Sequence, residues 1–161
     1  MKILALGGSG GMGRFAVSTS MNFENVSEII VADINADSAV TFANSMNEKV
    51  SGIGLDVTDI DGLKRQMEKV DVVINTVGPF YKFGPPILEA AIDVGCHYLD
   101  INDDWEPTVE MLKLHKKAED NSTTAILGMG ASPGLTNMLG AAAIHELDTC
   151  LLYTSPSPRD H

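Results

Sequence analysis

Residues 2–17, KILALGGSGGMGRFAV, decide the fold of this chain. A short apolar run at 3–6 leads directly into a cluster of glycines and then into residues with helical spacing, which is the order strand, tight turn, helix. Gly8, Gly10 and Gly13 have the G-x-G-x-x-G spacing. In this motif the first glycine permits the turn, the second lets the backbone approach a pyrophosphate, and the third lets helix and strand pack closely. Free N–H groups at the start of the helix attract phosphates. The stretch therefore predicts a dinucleotide site, and a flexible glycine turn is the alternative.

Size and composition narrow the class of protein. The chain has 161 residues, of which 44% are hydrophobic, so we expect one well-packed domain. Its net charge of −11, from 22 acidic and 11 basic residues, argues against a nucleic-acid partner. The longest apolar runs are too short to span a bilayer and the N-terminus lacks the layout of a signal peptide, so we expect a cytoplasmic protein without a membrane partner. Cys96 and Cys150 have no partners at metal-ligand spacing, and neither a disulfide framework nor a metal site is expected.

Patterns typical of strands and helices alternate along the chain. Compact apolar or β-branched runs predict strands at 3–6, 28–32, 50–55, 70–77, 97–101 and 124–129. Helical spacing predicts helices from the glycine turn to about 21, over 36–47, up to 67, from about 87 to 94, over 105–120 and from 135 to about 147. The stretch 78–86, GPFYKFGPP, is expected to be a stiff connection, and 130–134 a tight loop. The alternation predicts an α/β fold with a doubly wound parallel sheet of about six strands, the Rossmann fold.

Acidic residues follow the second and third predicted strands, at the edge where open α/β sheets place their ligands. Asp33 stands twenty residues after Gly13, the separation at which an acidic side chain accepts hydrogen bonds from an adenosine ribose. The alternative is that Asp33 caps the next helix, although Asn35, two residues later, can take that role. Asp56 and Val57 follow the third strand and are candidates to flank an adenine ring, with a plain loop as the alternative.

Three further residues or residue pairs have predicted local roles. Thr58 and Asp61 resemble a capping pair for the short helix that ends near 67. Asn75 is the one amide in an apolar strand, so it either bonds the neighbouring backbone or points into the ligand cleft. Gly95 is expected to end the fourth helix as a left-handed cap.

The last residues change in character. CLLYTSPSPRD, at 150–160, resembles the in-frame translation of a transposon-type sequencing-library adapter. We therefore expect a binding domain over 1–148 and a non-native or disordered tail over 149–161, with no functional role for the tail.

Several segments together resemble the saccharopine dehydrogenase-like family, specifically its N-terminal NAD(P)-binding domain. They are GGSGGMGR at 7–14, VADIN at 31–35, DVVINTVGPFYKFG at 71–84, EAAIDVGCHYLDINDDWE at 89–106 and ILGMGASPGLTNMLG at 126–140. The resemblance implies an oxidoreductase that transfers hydride between a nicotinamide cofactor and a carbon–nitrogen bond of a small, amino-acid-like substrate. It also implies a second α/β domain that shapes the substrate pocket, and a homodimer of the full-length protein. We expect this chain to be a fragment, truncated before the substrate domain and inactive on its own.

The resemblance assigns roles to individual residues. The phosphate loop falls on Gly8, Ser9, Gly10, Gly11, Met12 and Gly13, the ribose-binding acid on Asp33, the adenine-side pair on Asp56 and Val57, and the segment beneath pyrophosphate and nicotinamide on Thr76, Val77, Gly78 and Pro79. Asp100 ends the fifth strand on the active-site side.

Candidate acid–base groups are Asp100, Asp103 and Asp104, which cluster where a substrate would meet the nicotinamide. These carboxylates are suited to bind a substrate amino group, and the alternative is that Asp103 or Asp104 caps the 105–120 helix. Tyr81 and Tyr98 have no lysine four residues on, so the Y-x-x-x-K arrangement of short-chain dehydrogenases is missing.

The sequence favours NAD over NADP. A carboxylate at Asp33 would repel a 2′-phosphate, and Ile34 and Asn35 supply no arginine to neutralise one. Arg14, close to the phosphate turn, is the observation that favours NADP. A non-catalytic dinucleotide-binding sensor or regulatory module is the alternative to an enzyme.

Overall fold

A six-stranded parallel sheet forms the centre of the computed structural model, which describes residues 1–147. Its strands are β1 Lys2–Leu6, β2 Glu28–Asp33, β3 Val50–Gly54, β4 Val72–Asn75, β5 His97–Asp100 and β6 Ala125–Ile126. The helices are α1 Gly11–Ser20, α2 Ala36–Asn44, α3 Ile60–Met67, α4 Phe80–Asp93, α5 Trp105–Leu112, α6 His115–Asp120 and α7 Thr136–His145. The predicted doubly wound α/β fold is confirmed.

The strand order is β3-β2-β1-β4-β5-β6. Strands β2 and β3 are added on one side of β1, and β4, β5 and β6 on the other side. Leu6 at the end of β1 pairs with Ala32 of β2 on one side and with Asn75 of β4 on the other. Asn75 in turn pairs with Asp100 of β5. Four strands therefore end in one row, which we call the carboxyl edge, and the residues that follow β1 enter the switch point where such sheets bind ligands.

Two apolar clusters pack on the sheet, because alternate side chains of each strand point to opposite faces. Leu4 and Leu6 belong to the cluster that also includes buried residues of α3, α4 and α5. Ile3 and Ala5 belong to the cluster that includes buried residues of α1 and α2. Burial on both faces explains why the central strands read as continuous apolar runs.

The fourth helix begins earlier than the sequence indicates. The prediction that 78–86 is a connection is wrong, because α4 starts at Phe80 and contains both Pro85 and Pro86. The prolines remove two helical hydrogen bonds. Phe80 and Gly84 lie on the buried face of this part of the helix, and their packing stabilises it.

Other boundaries also differ. The predicted 105–120 helix is two helices, α5 and α6, with a break at Lys113 and Leu114. The predicted loop at 130–134 is closed by the Leu135 N–H, which donates to the Gly130 carbonyl at 2.9 Å, and Ser132 within it has an extended backbone with φ −142° and ψ 124°. Gly95 has φ +72°, which confirms the left-handed cap.

The Thr58–Asp61 capping pair is wrong. The cap of α3 is Asp59, whose Oδ1 accepts the Gly62 N–H at 3.0 Å. Thr58 instead donates to Asp56.

Two sequence-based expectations concern the extent of the chain. The predicted tail over 149–161 lies outside the described residues. Within the described part, no helix has both the length and the apolar character that crossing a membrane requires.

Candidate functional site

The glycine turn between β1 and α1 has its conformational demand one residue before the predicted position. Gly7 adopts φ +68°, so the left-handed backbone that the turn requires belongs to Gly7 and not to Gly8. The Gly7 N–H donates to the Ala32 carbonyl of β2 at 2.9 Å, and its own carbonyl accepts the Gly10 N–H at 2.9 Å. The positive φ thus lies one residue earlier than expected, while Gly8 has no room for a side chain, because a Cβ there would lie 2.8 Å from the Ala5 carbonyl oxygen. The sequence signal for the role of Gly7 is its position directly after β1.

The start of α1 has the features of an anion site. Gly10 is the N-cap and contributes no side-chain cap, and the first turn contains no acidic residue. The first helical bond is donated by Arg14 to the Gly10 carbonyl, so the N–H groups of Gly11, Met12 and Gly13 precede the intrahelical ladder. Together with the helix dipole, these donors favour a phosphate at this terminus.

Gly13 confirms the close packing predicted for the third glycine of the motif. A Cβ at this position would overlap the Gly7 carbonyl oxygen and would lie 2.6 Å from the Gly8 Cα. Both are backbone atoms of the turn itself. Only glycine lets α1 approach the turn this closely.

Asp33 contacts the glycine turn through Ser9. Ser9 Oγ donates to its Oδ2 at 2.6 Å, and the Asn35 N–H donates to its Oδ1 at 3.2 Å. The cap of α2 is Asn35, whose side chain accepts the Ser38 N–H at 3.0 Å. The alternative in which Asp33 caps α2 is therefore wrong, and its carboxylate is oriented toward the glycine turn.

Arg14 braces the same loop. Its Nε donates to the Ser9 carbonyl at 2.6 Å, and its guanidinium carbon lies 4.7 Å from the centre of the Phe42 ring. No local sequence pattern indicates the Phe42 contact, because it joins α1 to α2. The arginine thus has two partners within the protein.

Asp56 and Val57 differ in exposure. Asp56 is exposed, and its Oδ1 accepts the backbone N–H of Thr58 at 2.8 Å and the Thr58 hydroxyl at 2.7 Å. These two hydrogen bonds lower the pKa of the Asp56 carboxyl. Val57 is partly buried against the core. The pair follows β3, whose last residue pairs with Asp33.

The segment after β4 is tied to the glycine turn. Thr76 Oγ1 lies 2.8 Å from the Leu6 carbonyl and 3.2 Å from the Gly7 carbonyl, and the Thr76 N–H also donates to Leu6. The Val77 N–H donates to Asn75 Oδ1 at 3.0 Å. Asn75 therefore bonds the neighbouring backbone, the first of its two predicted alternatives. The structure therefore places Thr76, the first residue of the 76–79 segment, against the glycine turn.

Asp100 is fully buried at the end of β5. Its Oδ1 accepts the N–H groups of Asn102 at 3.1 Å and Gly128 at 2.7 Å, and its Oδ2 accepts the Tyr98 hydroxyl at 3.0 Å. Burial raises the pKa of the Asp100 carboxyl, while these hydrogen bonds act in the opposite direction. The carboxylate has no surface that a substrate could contact, so the geometry does not support its expected role as an acid–base group.

Asp103 and Asp104 are exposed at an open cleft of about 620 Å³. Asp104 is the N-cap residue of α5, but neither side chain caps this helix. The expectation that one of them is a cap is therefore wrong. Other residues that line the cleft are Asn102, Trp105, Thr108, Val109, Ser132 and Pro133. Among residues 1–147, no group of His, Cys, Asp and Glu side chains is arranged to hold a metal ion.

The chain is similar to known proteins over most of its length. Residues 3–126 match the family model of the saccharopine dehydrogenase NADP binding domain. The chain is similar to a probable mitochondrial saccharopine dehydrogenase-like oxidoreductase of Arabidopsis thaliana, with 27% identity over 80% of this chain and 31% of that protein. A saccharopine dehydrogenase-like oxidoreductase of Homo sapiens is 30% identical over 53% of this chain and 20% of that protein.

A solved structure has the same fold. The apo histidine-tagged saccharopine dehydrogenase (L-Glu forming) from Saccharomyces cerevisiae aligns with a TM-score of 0.77 and 23% identity, over 90% of this chain and 31% of that chain. The chain thus spans less than a third of the length of each of these three proteins.

Proposed function

The chain belongs to the saccharopine dehydrogenase NADP binding domain family, and we propose on that basis that it binds a nicotinamide dinucleotide along the carboxyl edge as the cofactor half of an oxidoreductase. The observation that carries the proposal is the convergence of three segments at the β1/β4 switch point. The glycine turn, the Asp33 carboxylate held by Ser9, and the segment anchored by Thr76 are in direct contact there.

Each segment has one part of the cofactor to bind. We assign the pyrophosphate to the start of α1, the adenosine ribose to Asp33, the adenine to Asp56 and Val57, and the nicotinamide side to residues 76–79. The pyrophosphate residues are Gly8, Ser9, Gly10, Gly11, Met12 and Gly13. Hydride transfer is the chemistry of the cofactor, and the protein orients the ring and excludes water.

The proposed cofactor is NAD(H) rather than NADP(H). The ribose-side carboxylate of Asp33 would repel a 2′-phosphate. Arg14 is the nearby cation, and it is engaged with the Ser9 carbonyl and the Phe42 ring. The family model is described as an NADP binding domain, so the proposed preference for NAD(H) differs from the cofactor that this description names.

The test is a titration of the chain with NADH and with NADPH, in which the fluorescence of the protein reports binding. We expect NADH to bind more tightly, and Asp33→Arg to shift the affinity ratio toward NADPH by about tenfold or more, because a charge-assisted hydrogen bond contributes roughly 1.5–3 kcal/mol. Asp37→Arg makes the same charge change on the exposed first turn of α2 and is the matched control. The site is wrong if neither dinucleotide binds, and the role of Asp33 is wrong if both variants change the ratio equally.

The substrate proposed for the full-length protein is amino-acid-like and reacts at a carbon–nitrogen bond. Asp103, exposed at the 620 Å³ cleft, is the acid–base group that this chain offers. A homodimer and a cytoplasmic location belong to the same proposal, as does the expectation that this chain alone does not turn over substrate.

A second candidate function is dinucleotide binding without turnover, as in a sensor. The burial of Asp100 favours it, because that carboxylate is removed from the reacting atoms. An assay of the full-length protein that follows the absorbance of reduced nicotinamide distinguishes the two. Oxidation or reduction with an amino-acid or keto-acid substrate supports the enzyme, and cofactor binding without any turnover supports the sensor.

A further inference from the structure

A fully buried line of hydrogen bonds joins the ends of β4, β5 and β6 beneath the proposed nicotinamide side. We propose that Tyr98, at the centre of this line, is a positioning residue that holds the 76–79 segment in place for the nicotinamide half of the cofactor. The inference rests on the proposed function. We call Asn75, Tyr98 and Asp100 the Asn–Tyr–Asp network.

The first link fixes the amide of Asn75. Its Nδ2 donates to Tyr98 Oη at 2.9 Å, and its Oδ1 accepts the Val77 N–H at 3.0 Å. Because both ends of the amide are engaged, its orientation is set, and so is the backbone at Val77. Without the tyrosine hydroxyl, the buried Nδ2 would lose the partner that holds the amide in this orientation.

The second link fixes the hydroxyl itself. Tyr98 Oη donates to Asp100 Oδ2 at 3.0 Å, while Asp100 Oδ1 accepts the backbone N–H groups of Asn102 and Gly128. Asn102 follows β5, and Gly128 follows β6 with φ +72°. Because the Asp100 carboxylate accepts from both, it connects the loops after these two strands. The network is complete, because no buried side-chain polar atom in the described part of the chain lacks a hydrogen-bond partner. A fully satisfied buried network is rigid, and the loss of one member affects the others.

The network is separate from the adenosine side of the site. Asp33 is held by Ser9 and Asn35, and Asp56 by Thr58. None of these contacts includes Asn75, Tyr98 or Asp100. A change in the network should therefore weaken contacts to the nicotinamide half and leave those to the adenosine half intact.

The experiment compares two ligands in the 161-residue chain carrying Tyr98→Phe, by calorimetric titration. NAD⁺ reports on the whole cofactor, and ADP reports on the adenosine and phosphate side. We expect the dissociation constant for NAD⁺ to rise about fivefold, as for the loss of one buried hydrogen bond, with that for ADP changed by less than about twofold. Equal weakening of both ligands, or no change in either, would overturn the proposal.

A matched control separates positioning from general loss of stability. Leu63→Ala in α3 shortens a fully buried side chain of the same core cluster and removes no hydrogen bond of the network. It should lower the free energy of unfolding and leave the ratio of the two dissociation constants unchanged. A shift in this ratio equal to that of Tyr98→Phe would contradict the inference.

A second variant covers the case in which Tyr98→Phe does not fold. Asp100→Asn keeps the shape of the side chain but removes the anionic acceptor of the Tyr98 hydroxyl, and the same selective loss of NAD⁺ affinity is expected. The two proposals also fail in different ways. A parent chain that binds neither ligand contradicts the proposed function, whereas a parent chain that binds both and variants with an unchanged ratio contradict only the role of Tyr98.

Discussion

Gly13 and Gly11 lie in the same first turn of α1 but have different surroundings. A Cβ on Gly13 would overlap the Gly7 carbonyl oxygen, whereas a Cβ on Gly11 would meet nothing within 4 Å. The atoms that surround Gly13 belong to the backbone of the glycine turn and have no rotamer to change. The glycines of this turn therefore differ in how much space surrounds them, and Gly13, the third glycine of the motif, is required for packing.

Gly13→Ala is expected to destabilise the chain by about 3 kcal/mol, as for overpacking against atoms that cannot move aside. NADH binding should fall with it, because the turn must shift. Gly11→Ala, in the first turn of the same helix, should change the free energy of unfolding by less than about 0.5 kcal/mol. Urea unfolding of both variants measures the difference, and equal stabilities would show that α1 does not pack as closely as described.

Three helices are joined by one carboxylate at the end of α4. Asp93 contacts Lys64 of α3 and Lys117 of α6, each at 2.6 Å, and Lys117 also contacts Glu89 at 2.8 Å. The hydrogen bonds from Lys117 and Lys64 lower the pKa of the Asp93 carboxyl. Its side chain is 30% exposed, so solvent screens the pair and the contribution to stability is modest.

The sign of this shift gives a pH dependence. A carboxyl whose pKa is lower in the folded state than in the unfolded state stabilises the fold above its unfolded pKa, and this stabilisation is lost as pH falls through the folded pKa. Asp93→Asn should therefore lower the free energy of unfolding at pH 7 by about 0.5–1 kcal/mol, and the difference from the parent should vanish near about pH 2. Urea unfolding across that range measures it.

Asp120→Asn is the control for Asp93→Asn. This residue pairs with Lys116 within α6 and is 60% exposed, so we expect a smaller change in stability. A difference between parent and Asp93→Asn that stays constant down to about pH 2 would show that the ion pairs do not account for the effect.

The surface of the described domain is uneven in character. In α7 no residue is buried, and Leu135 beside it and Met138, Leu139 and Ile144 within it are 54–70% exposed. In α4, by contrast, seven residues are buried. The apolar residues of this last helix are therefore at the surface. Apolar patches of this kind favour association between molecules.

We expect the 161-residue chain to associate as its concentration rises, and Leu139→Lys to shift it toward the monomer. Val40→Lys makes the same change at an exposed apolar residue of α2, outside the patch, and should have little effect. Sedimentation velocity over a range of concentrations distinguishes them. A parent chain that stays monomeric throughout, or equal effects of both substitutions, would contradict this role of the patch.

The sequence by itself determined the family, the fold class and the approximate places of the strands. Short sequence patterns indicate each of these features. They are the continuous apolar runs of strands buried on both faces, the helical spacing between them, and the glycine motif directly after β1. The proximity of Asp33 to the glycine turn was also predictable, because parallel strands that alternate with helices all end at one edge of the sheet. Signals of this kind depend on neighbours within a few residues.

Only the tertiary structure decided the burial of Asp100, the Asn–Tyr–Asp network and the early start of α4. Asn75 and Tyr98 are 23 residues apart in the chain, and Asp100 and Gly128 are 28 apart. These atoms meet because β4, β5 and β6 lie side by side, and no local pattern records which donors then surround a carboxylate. The sequence could therefore place Asp100 at the end of β5, whereas its environment depended on contacts between strands that are distant in the chain.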